Sequence, residues 1–294
     1  MNTTVLLVNF GGPRTLDDVP AFLRNLRGGE VAPAVEQSTV ARYRAIGGAS
    51  PLPAITEEQA RLLKKLVAGD LTIRVAFRYS HPLLEEQIEE CHSSGTDRLV
   101  LFVMSPFCNE ETTGNYIRTT EASLNRFSCK PQVVFIHSWY QEPLFIKSWA
   151  DMIQAGKVED AFYLFSAHSL PRSDQNISYR IQVEETVSLV SSQSGIAEDR
   201  YALGWQSVPH HIKNPWIGPS VEEIMDNLEP EACQRLRQSP RFIQLMADAA
   251  PTTITRIVNE VPTGEPPFTD NDFSAPTIER HKQAGYLTAK RALG

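Results

Sequence analysis

His168 is the residue of this sequence whose type and position favour catalysis most directly. It follows a short apolar run at residues 162–165 that predicts a buried strand, and small residues, Ala167 and Ser169, flank it. Ligands of α/β folds bind at the carboxyl ends of strands, where this histidine is expected. An imidazole there can act as a general base or as a metal ligand. A structural histidine bonded to a neighbouring carbonyl is the alternative, and position alone leaves both open.

A glycine-rich turn, Gly11-Gly12-Pro13, follows the first predicted strand at residues 5–8. Glycine permits a tight reversal and the close approach of a flat ligand, although a plain turn explains these residues by itself. The turn lacks the Gly-x-Gly-x-x-Gly spacing and the Gly-Lys-Ser/Thr ending of nucleotide-binding loops. A dinucleotide-binding or phosphate-binding function is therefore disfavoured.

Charged and hydroxyl-bearing residues surround a flexible bend at Ile46-Gly47-Gly48. Tyr43 precedes the bend and Ser50 follows it, with Arg42 adjacent and Arg27 upstream. Guanidinium groups recognise carboxylates through paired hydrogen bonds, so the two arginines suit a ligand that carries carboxylates. Single surface arginines are more often simply solvated.

Three other kinds of site are disfavoured. The chain has no Gly-x-Ser-x-Gly nucleophile motif, and the adjacent pair His210-His211 lacks the helical spacing of metal ligands. No Cys-x-x-Cys pair occurs, which favours reduced thiols in the cytoplasm over disulfides, zinc or an iron–sulfur cluster. The cysteines lie far apart, at Cys91, Cys108, Cys129 and Cys233.

Length and charge narrow the function classes further. The chain has 294 residues and a net charge of −7, so no global field attracts nucleic acid. Its longest apolar runs, at residues 5–10 and 99–104, are far shorter than the roughly 20 residues that span a bilayer. The amino terminus lacks the pattern of a secretory signal. These features predict a cytoplasmic protein.

Short apolar runs alternate with helical patterns over the first 228 residues, which predicts an α/β fold with parallel sheets and helices on both faces. The predicted strands cover residues 5–8, 72–77, 98–104, 132–137, 162–165 and 201–206, and the predicted helices cover residues 17–26, 56–66, 82–91, 114–127, 143–154, 179–190 and 220–228. Two such sheets fit the length. Residues 229–294 break the alternation and predict a mostly helical tail.

Several motifs, in this order and spacing, resemble those of the ferrochelatases, enzymes that insert ferrous iron into a porphyrin. They are Asn9-Phe10-Gly11-Gly12-Pro13, Tyr43-Arg44-Ala45-Ile46-Gly47-Gly48-Ala49-Ser50-Pro51-Leu52, Ser138-Trp139-Tyr140-x-Glu142-Pro143, Phe165-Ser166-Ala167-His168-Ser169-Leu170-Pro171, Gly204-Trp205-Gln206-Ser207 and Pro215-Trp216-Ile217-Gly218-Pro219. The resemblance covers residues 5–228. It implies two Rossmann-like, chelatase-type parallel-sheet domains, at residues 1–130 and 131–228, with a porphyrin cleft between them and the second domain incomplete.

The resemblance also implies roles for individual residues. His168 becomes the residue that receives pyrrole protons or meets the incoming metal. Phe10 lies beside the macrocycle, where some relatives have a tyrosine that can ligate iron. Phe22 and Leu23 form an apolar lip. The positions that line the porphyrin and its propionates are Arg27, Arg42, Tyr43, Ser50 and Tyr116.

The implied activity is that of a lyase of haem biosynthesis. Its substrates are Fe²⁺ and either protoporphyrin IX or coproporphyrin III, with no permanently bound cofactor and no iron–sulfur cluster. Distortion of the ring by remote contacts exposes the nitrogen lone pairs. Insertion of cobalt or nickel by the same fold is an alternative activity, which differs from iron insertion only in the metal. No nucleic-acid partner and at most peripheral membrane contact are expected.

One family feature is missing from the sequence. Relatives have a further strand that ends in a Phe-Val-x-Asp-His-x-Glu type of motif, whose acidic residue faces the active-site histidine. No such stretch occurs here, and Glu222, Glu223, Glu260 and Glu265 cannot be assigned its role. Two interpretations stay open: a ferrochelatase whose activity is impaired by this loss, and a non-catalytic tetrapyrrole-binding protein.

The tail resembles a different family. Asp270-Asn271-Asp272-Phe273-Ser274 and Gly285-Tyr286 are similar to the extreme carboxyl terminus of some patatin-like phospholipases. The patatin nucleophile motif is absent, so no lipase activity follows. We expect a junction near residue 228 between a truncated ferrochelatase-like body and an unrelated end.

Overall fold

A computed structural model describes residues 1–67, 69, 71–157, 161–207, 215–221 and 223–224 of the chain. The chain divides into two compact units, Met1–Trp139 and Tyr140–Gly294. The domain boundaries expected near residues 130 and 228 stay predictions. The predicted tail at 229–294, the pair His210-His211 and three of the four glutamates considered above lie outside the described residues.

The first unit is a four-stranded parallel sheet with helices in its connections. Its strand order is β2-β1-β3-β4, and every neighbouring pair is parallel, which confirms the predicted α/β class. The elements in chain order are β1 (Thr3–Asn9), α1 (Val19–Arg27), α2 (Pro33–Ala45), α3 (Leu52–Leu66), β2 (Leu71–Phe77), α4 (Leu84–Ser93), β3 (Arg98–Val103), α5 (Asn115–Leu124) and β4 (Gln132–Ile136).

Strand β1, in the interior of the sheet, is buried on both faces, as its apolar composition predicts. Consecutive residues of β1, Leu6, Leu7 and Val8, point to alternate faces and are all at most 1% exposed. One face packs in a core with Leu84 and Ile88 of α4. The buried run stops at Val8 and β1 ends at Asn9, so the glycine turn at residues 11–13 follows directly.

Helix α2 was not predicted, because its sequence shows no apolar stripe and none of its residues is buried. Pro33 at its start and Arg42 in its last turn are favourable end residues for a helix. The predicted bend therefore starts only after the helix, where Gly47 and Gly48 adopt positive φ angles of 101° and 88°. Tyr43 is held on this helix, just before the bend.

The described part of the second unit contains a parallel pair of strands. Its elements are α6 (Pro143–Ala155), β5 (Tyr163–His168), α7 (Asp174–Ser194) and β6 (Tyr201–Gln206). In the register of this pair, His168 lies opposite Gln206. Helix α7 ends where Gly195 takes the left-handed conformation at φ 67°. In the described part of the chain, no helix has both the length and the apolar composition needed to cross a membrane.

Candidate functional site

The turn after β1 brings backbone and side chains unusually close together. Gly11 has a φ of +92°, and a Cβ atom built there would lie 2.5 Å from Ser80 Oγ. The backbone N–H of Gly12 donates a hydrogen bond to the same Ser80 oxygen at 3.0 Å. A Cβ on Gly12 would lie 2.5 Å from Ser50 Oγ. Both glycines are therefore required by packing within the turn.

Ser50, a predicted porphyrin-binding residue, joins the bend after α2 to this turn. Its backbone N–H donates to the carbonyl of Pro13 at 2.7 Å, and its Oγ accepts from the N–H of Leu52 at 3.3 Å. The side chain also packs against Gly12. Ser50 thus anchors the start of α3 beside the carboxyl end of β1.

An aromatic cluster forms at the same end of β1. The ring of Phe10 makes edge-to-face contacts with Tyr79 at 4.7 Å and with Phe22 at 6.3 Å, and Phe22 contacts Tyr43 at 6.5 Å between centroids. Phe10 and Tyr43 are only half-buried. Burial raises the pKa of the Tyr43 hydroxyl, so it stays neutral. The structure therefore brings two predicted ligand-contacting residues into one apolar surface suited to a flat ring.

The two predicted propionate-binding arginines lie at helix ends. Arg27 is in the last turn of α1 and is exposed, whereas Arg42 is in the last turn of α2 and is half-buried. Positive side chains in these turns complement the partial negative charge of a helix carboxyl end. The helices α1 and α2 contact one another. Charge complementarity with the helix ends therefore explains the positions of both arginines without a ligand, and binding of propionates is a second, predicted role.

Tyr116, the remaining predicted site residue of the first unit, lies in its core. It is 4% exposed and belongs to the apolar cluster that includes Leu101 and Val103. Burial, and secondarily Tyr79, raise its pKa far above the usual range, while Arg78 lowers it. Contact of Tyr116 with a porphyrin stays a prediction.

His168 lies at the exposed end of β5 in the second unit. Its Nδ1 atom is 2.6 Å from the carbonyl oxygen of Ser169. Because a carbonyl can only accept, Nδ1 must carry the hydrogen, and Nε2 of the neutral ring keeps its lone pair. The contact with a neighbouring carbonyl is therefore present, and it orients the imidazole with a basic nitrogen available for a proton or a metal ion.

Two further polar side chains lie on the same exposed face as His168. Ser166 precedes it by two residues on β5, and Gln206 is its cross-strand partner on β6. The amide of Gln206 donates a hydrogen bond to Ser166 Oγ. Sequence reasoning had placed neither residue in the site, although the alternation of side chains along a strand predicts the first.

The backbone that follows His168 is tied to the Pro215–Gly218 segment by several hydrogen bonds. Ser169 Oγ donates to the carbonyl of Ile217 at 2.6 Å, and the N–H of Ile217 donates to the carbonyl of Leu170 at 3.0 Å. An open cavity of about 580 Å³ adjoins this pair of segments and is lined in part by Arg172 and Trp216. The motif around His168 and the Pro215–Gly218 segment, some 45 residues apart in the sequence, are therefore hydrogen-bonded to each other.

Tyr179 of α7 is a further residue that sequence reasoning missed. Its hydroxyl donates to the backbone carbonyl of His168 at 2.9 Å. The side chain is 6% exposed, and burial raises its pKa to about 12. Its ring packs edge-to-face on Trp205 at 5.9 Å. The only sequence signal for this residue is its place in the predicted helix at 179–190.

Among the described residues, no metal-binding cluster of acidic side chains forms around His168. Within that part of the chain, no group of three or more His, Cys, Asp and Glu side chains is arranged to hold a metal ion. The carboxylate of Glu223 accepts the backbone N–H of Ser220 at 2.7 Å, which is a helix-capping contact. Glu222, Glu260 and Glu265 lie outside the described residues.

Comparison with known proteins gives two family matches. The model of the ferrochelatase family matches residues 2–242, and a model described as patatin phospholipase matches residues 218–294. The two matches overlap over residues 218–242. The second match agrees with the resemblance noted for the tail.

Three curated relatives illustrate the first match. The coproporphyrin III ferrochelatase of Geobacillus kaustophilus is 32% identical over 77% of this chain and 75% of its own length. The ferrochelatase of Thermoplasma acidophilum is 28% identical over 78% of this chain and 72% of its own length. The ferrochelatase of Citrifermentans bemidjiense is 30% identical, with 81% of each chain covered.

Proposed function

The chain belongs to the ferrochelatase family, and we propose that it catalyses the insertion of ferrous iron into a porphyrin, a lyase reaction of haem biosynthesis. The observation that supports this most directly is the orientation of His168, whose Nδ1–H is held by the Ser169 carbonyl. A neutral imidazole with an accessible Nε2 lone pair is the group that the reaction needs at one face of the macrocycle.

In this proposal His168 accepts protons from the pyrrole nitrogens or meets the incoming metal ion. Metallation replaces two pyrrole N–H protons by Fe²⁺, so the reaction releases two protons for each iron inserted. Because His168 is exposed, it can pass an accepted proton to solvent and return to its basic form. A single residue can then serve both proton transfers in turn.

The first unit supplies the remaining proposed contacts. Phe10 and Tyr43 offer half-buried aromatic surface to the macrocycle. Arg27 and Arg42 bind propionate carboxylates through their guanidinium groups. Ser50 and Tyr116 complete the proposed set. Binding energy from these contacts is available to distort the ring toward metallation.

The porphyrin in this proposal is one that carries propionates. Several relatives are named coproporphyrin III ferrochelatases, so coproporphyrin III is the first substrate to test and protoporphyrin IX the second. Cobalt and nickel are the alternative metals. We expect no permanently bound cofactor, no iron–sulfur cluster, no nucleic-acid partner, a cytoplasmic location and at most peripheral membrane contact. Phe22 and Leu23 of α1, which the resemblance places in an apolar lip, are only 7% and 5% exposed and so present little surface to a membrane.

The test is anaerobic iron insertion into both porphyrins, followed optically, for the parent chain and for His168→Ala. His81→Ala is the control, because His81 is another exposed histidine and bonds only a surface carboxylate among the contacts described, that of Glu86 at 2.9 Å. We expect iron insertion by the parent and by His81→Ala, and a loss of at least about a hundredfold in His168→Ala, the usual size of a general-base contribution.

The same spectra report porphyrin binding and separate the remaining interpretations. Porphyrin binding without iron insertion by the parent would contradict the enzyme and establish a non-catalytic tetrapyrrole-binding protein. Full activity in His168→Ala would contradict the role of this histidine. Absence of binding would contradict both functions.

A further inference from the structure

Two buried hydroxyl groups hold the backbone on which the His168 ring depends. Tyr179 Oη donates to the His168 carbonyl at 2.9 Å, and Ser169 Oγ donates to the Ile217 carbonyl at 2.6 Å. The backbone N–H of Ser169 also donates to the Gln206 carbonyl at 2.8 Å, which extends the β5–β6 pairing by one step. The peptide unit between His168 and Ser169 is thus held at both its carbonyl and its N–H, and the Ser169 side chain is anchored separately.

Solvent cannot replace these bonds easily, because Ser169 is fully buried and Tyr179 is 6% exposed. The ring of His168, by contrast, is exposed. An exposed imidazole in water exchanges freely between its two neutral tautomers unless one nitrogen is held by a fixed partner. Here the fixed partner is the Ser169 carbonyl, and its direction depends on the buried bonds.

We propose that Tyr179 and Ser169 are positioning residues, which hold the Ser169 carbonyl so that the His168 ring stays in the Nδ1–H tautomer with Nε2 directed outward. This inference rests on the proposed function, because it concerns the same histidine. Neither residue touches the substrate in this proposal. They act through the backbone, and their effect on the reaction is transmitted by the His168 ring alone.

Tyr179→Phe isolates the hydroxyl from the rest of the side chain. Phenylalanine keeps the ring that packs on Trp205 and removes the hydroxyl that donates to the His168 carbonyl. Tyr140→Phe is the matched control in the same unit, because the Tyr140 hydroxyl donates at 2.7 Å to an exposed carboxylate, that of Glu185. Ser169→Ala removes the second buried bond and provides an independent variant.

The full-length chain is labelled with ¹⁵N-histidine, and the tautomer of His168 is read at one fixed pH from the ¹⁵N shifts of its two ring nitrogens, assigned by comparison with His168→Ala. We expect the Nδ1–H form to dominate in the parent and in Tyr140→Phe, and the Nε2–H form to appear in Tyr179→Phe and in Ser169→Ala. In iron insertion, loss of one hydrogen bond predicts about a fivefold fall in kcat for Tyr179→Phe, with KM for the porphyrin within about twofold.

An unchanged His168 tautomer in both variants would overturn the proposal, and so would a change in KM with kcat unaltered. The tautomer measurement does not require activity. If the parent fails to insert iron, the proposed function is contradicted while the tautomer populations still decide the positioning role. If Tyr179→Phe does not fold, Ser169→Ala decides it.

Discussion

Replacement of Gly11 by alanine tests whether the turn after β1 has the backbone conformation and close packing described above. The φ of +92° lies in the left-handed region, where an L-residue costs about 1–2 kcal/mol. A new Cβ would also lie 2.5 Å from Ser80 Oγ and 2.9 Å from Phe77 Cβ. Phe77 is fully buried and cannot move aside, so overpacking adds about 1–3 kcal/mol.

The expected total for Gly11→Ala is therefore a loss of about 2–5 kcal/mol in the free energy of unfolding. Gly28→Ala is the matched control, because Gly28 has a φ of +69° and a Cβ built there would meet no atom within 4 Å. It should lose only the conformational contribution of about 1–2 kcal/mol. The difference between the two losses in unfolding free energy measures the steric clash of the new Cβ at Gly11 with Ser80 and Phe77.

The assay is urea unfolding followed by circular dichroism, with the transition of each variant compared with that of the parent. Equal destabilisation in Gly11→Ala and Gly28→Ala would refute the close approach of Ser80 and Phe77 to the turn. The position has a functional consequence too, since the turn follows Phe10 directly. We expect Gly11→Ala to weaken porphyrin binding in the optical titration relative to the parent.

Three further predictions follow from individual contacts. Gly12→Ala should destabilise the chain by about 1–3 kcal/mol through its clash with Ser50, and the second change Ser50→Gly should restore most of that loss in a double-mutant cycle of urea unfolding. Ser169→Ala should cost about 1–3 kcal/mol, because it leaves the Ile217 carbonyl unpaired; unfolding free energies equal to those of the parent would contradict the buried bond. The folded state raises the pKa of Tyr179 from 10.0 to about 12, so its contribution to stability is complete below pH 10 and is lost as the pH rises to about 12. That loss amounts to at most about 2.7 kcal/mol, and the slope of unfolding free energy against pH in this range should be shallower in Tyr179→Phe than in the parent.

Much of the fold could be predicted from local sequence patterns. The apolar run of β1 is buried on both faces, and a short continuous apolar segment signals such burial directly. Helix α1 was predicted from its apolar stripe. Helix α2 was not predicted, because it has no buried residues and therefore no apolar stripe. Its formation is signalled only by Pro33 and by the residues of its last turn.

The sequence by itself determined the family of the chain and the importance of His168, because the residues that surround the histidine form a motif contiguous in the chain. Only the tertiary structure decided how that histidine is held. Tyr179, 11 residues along the chain from His168, donates to the backbone carbonyl of that histidine. Ile217, 48 residues from Ser169, accepts a hydrogen bond from the Ser169 side chain. Hydrogen bonds of this kind depend on where helices and segments pack, and packing is a property of the folded chain that no local pattern of residue types encodes.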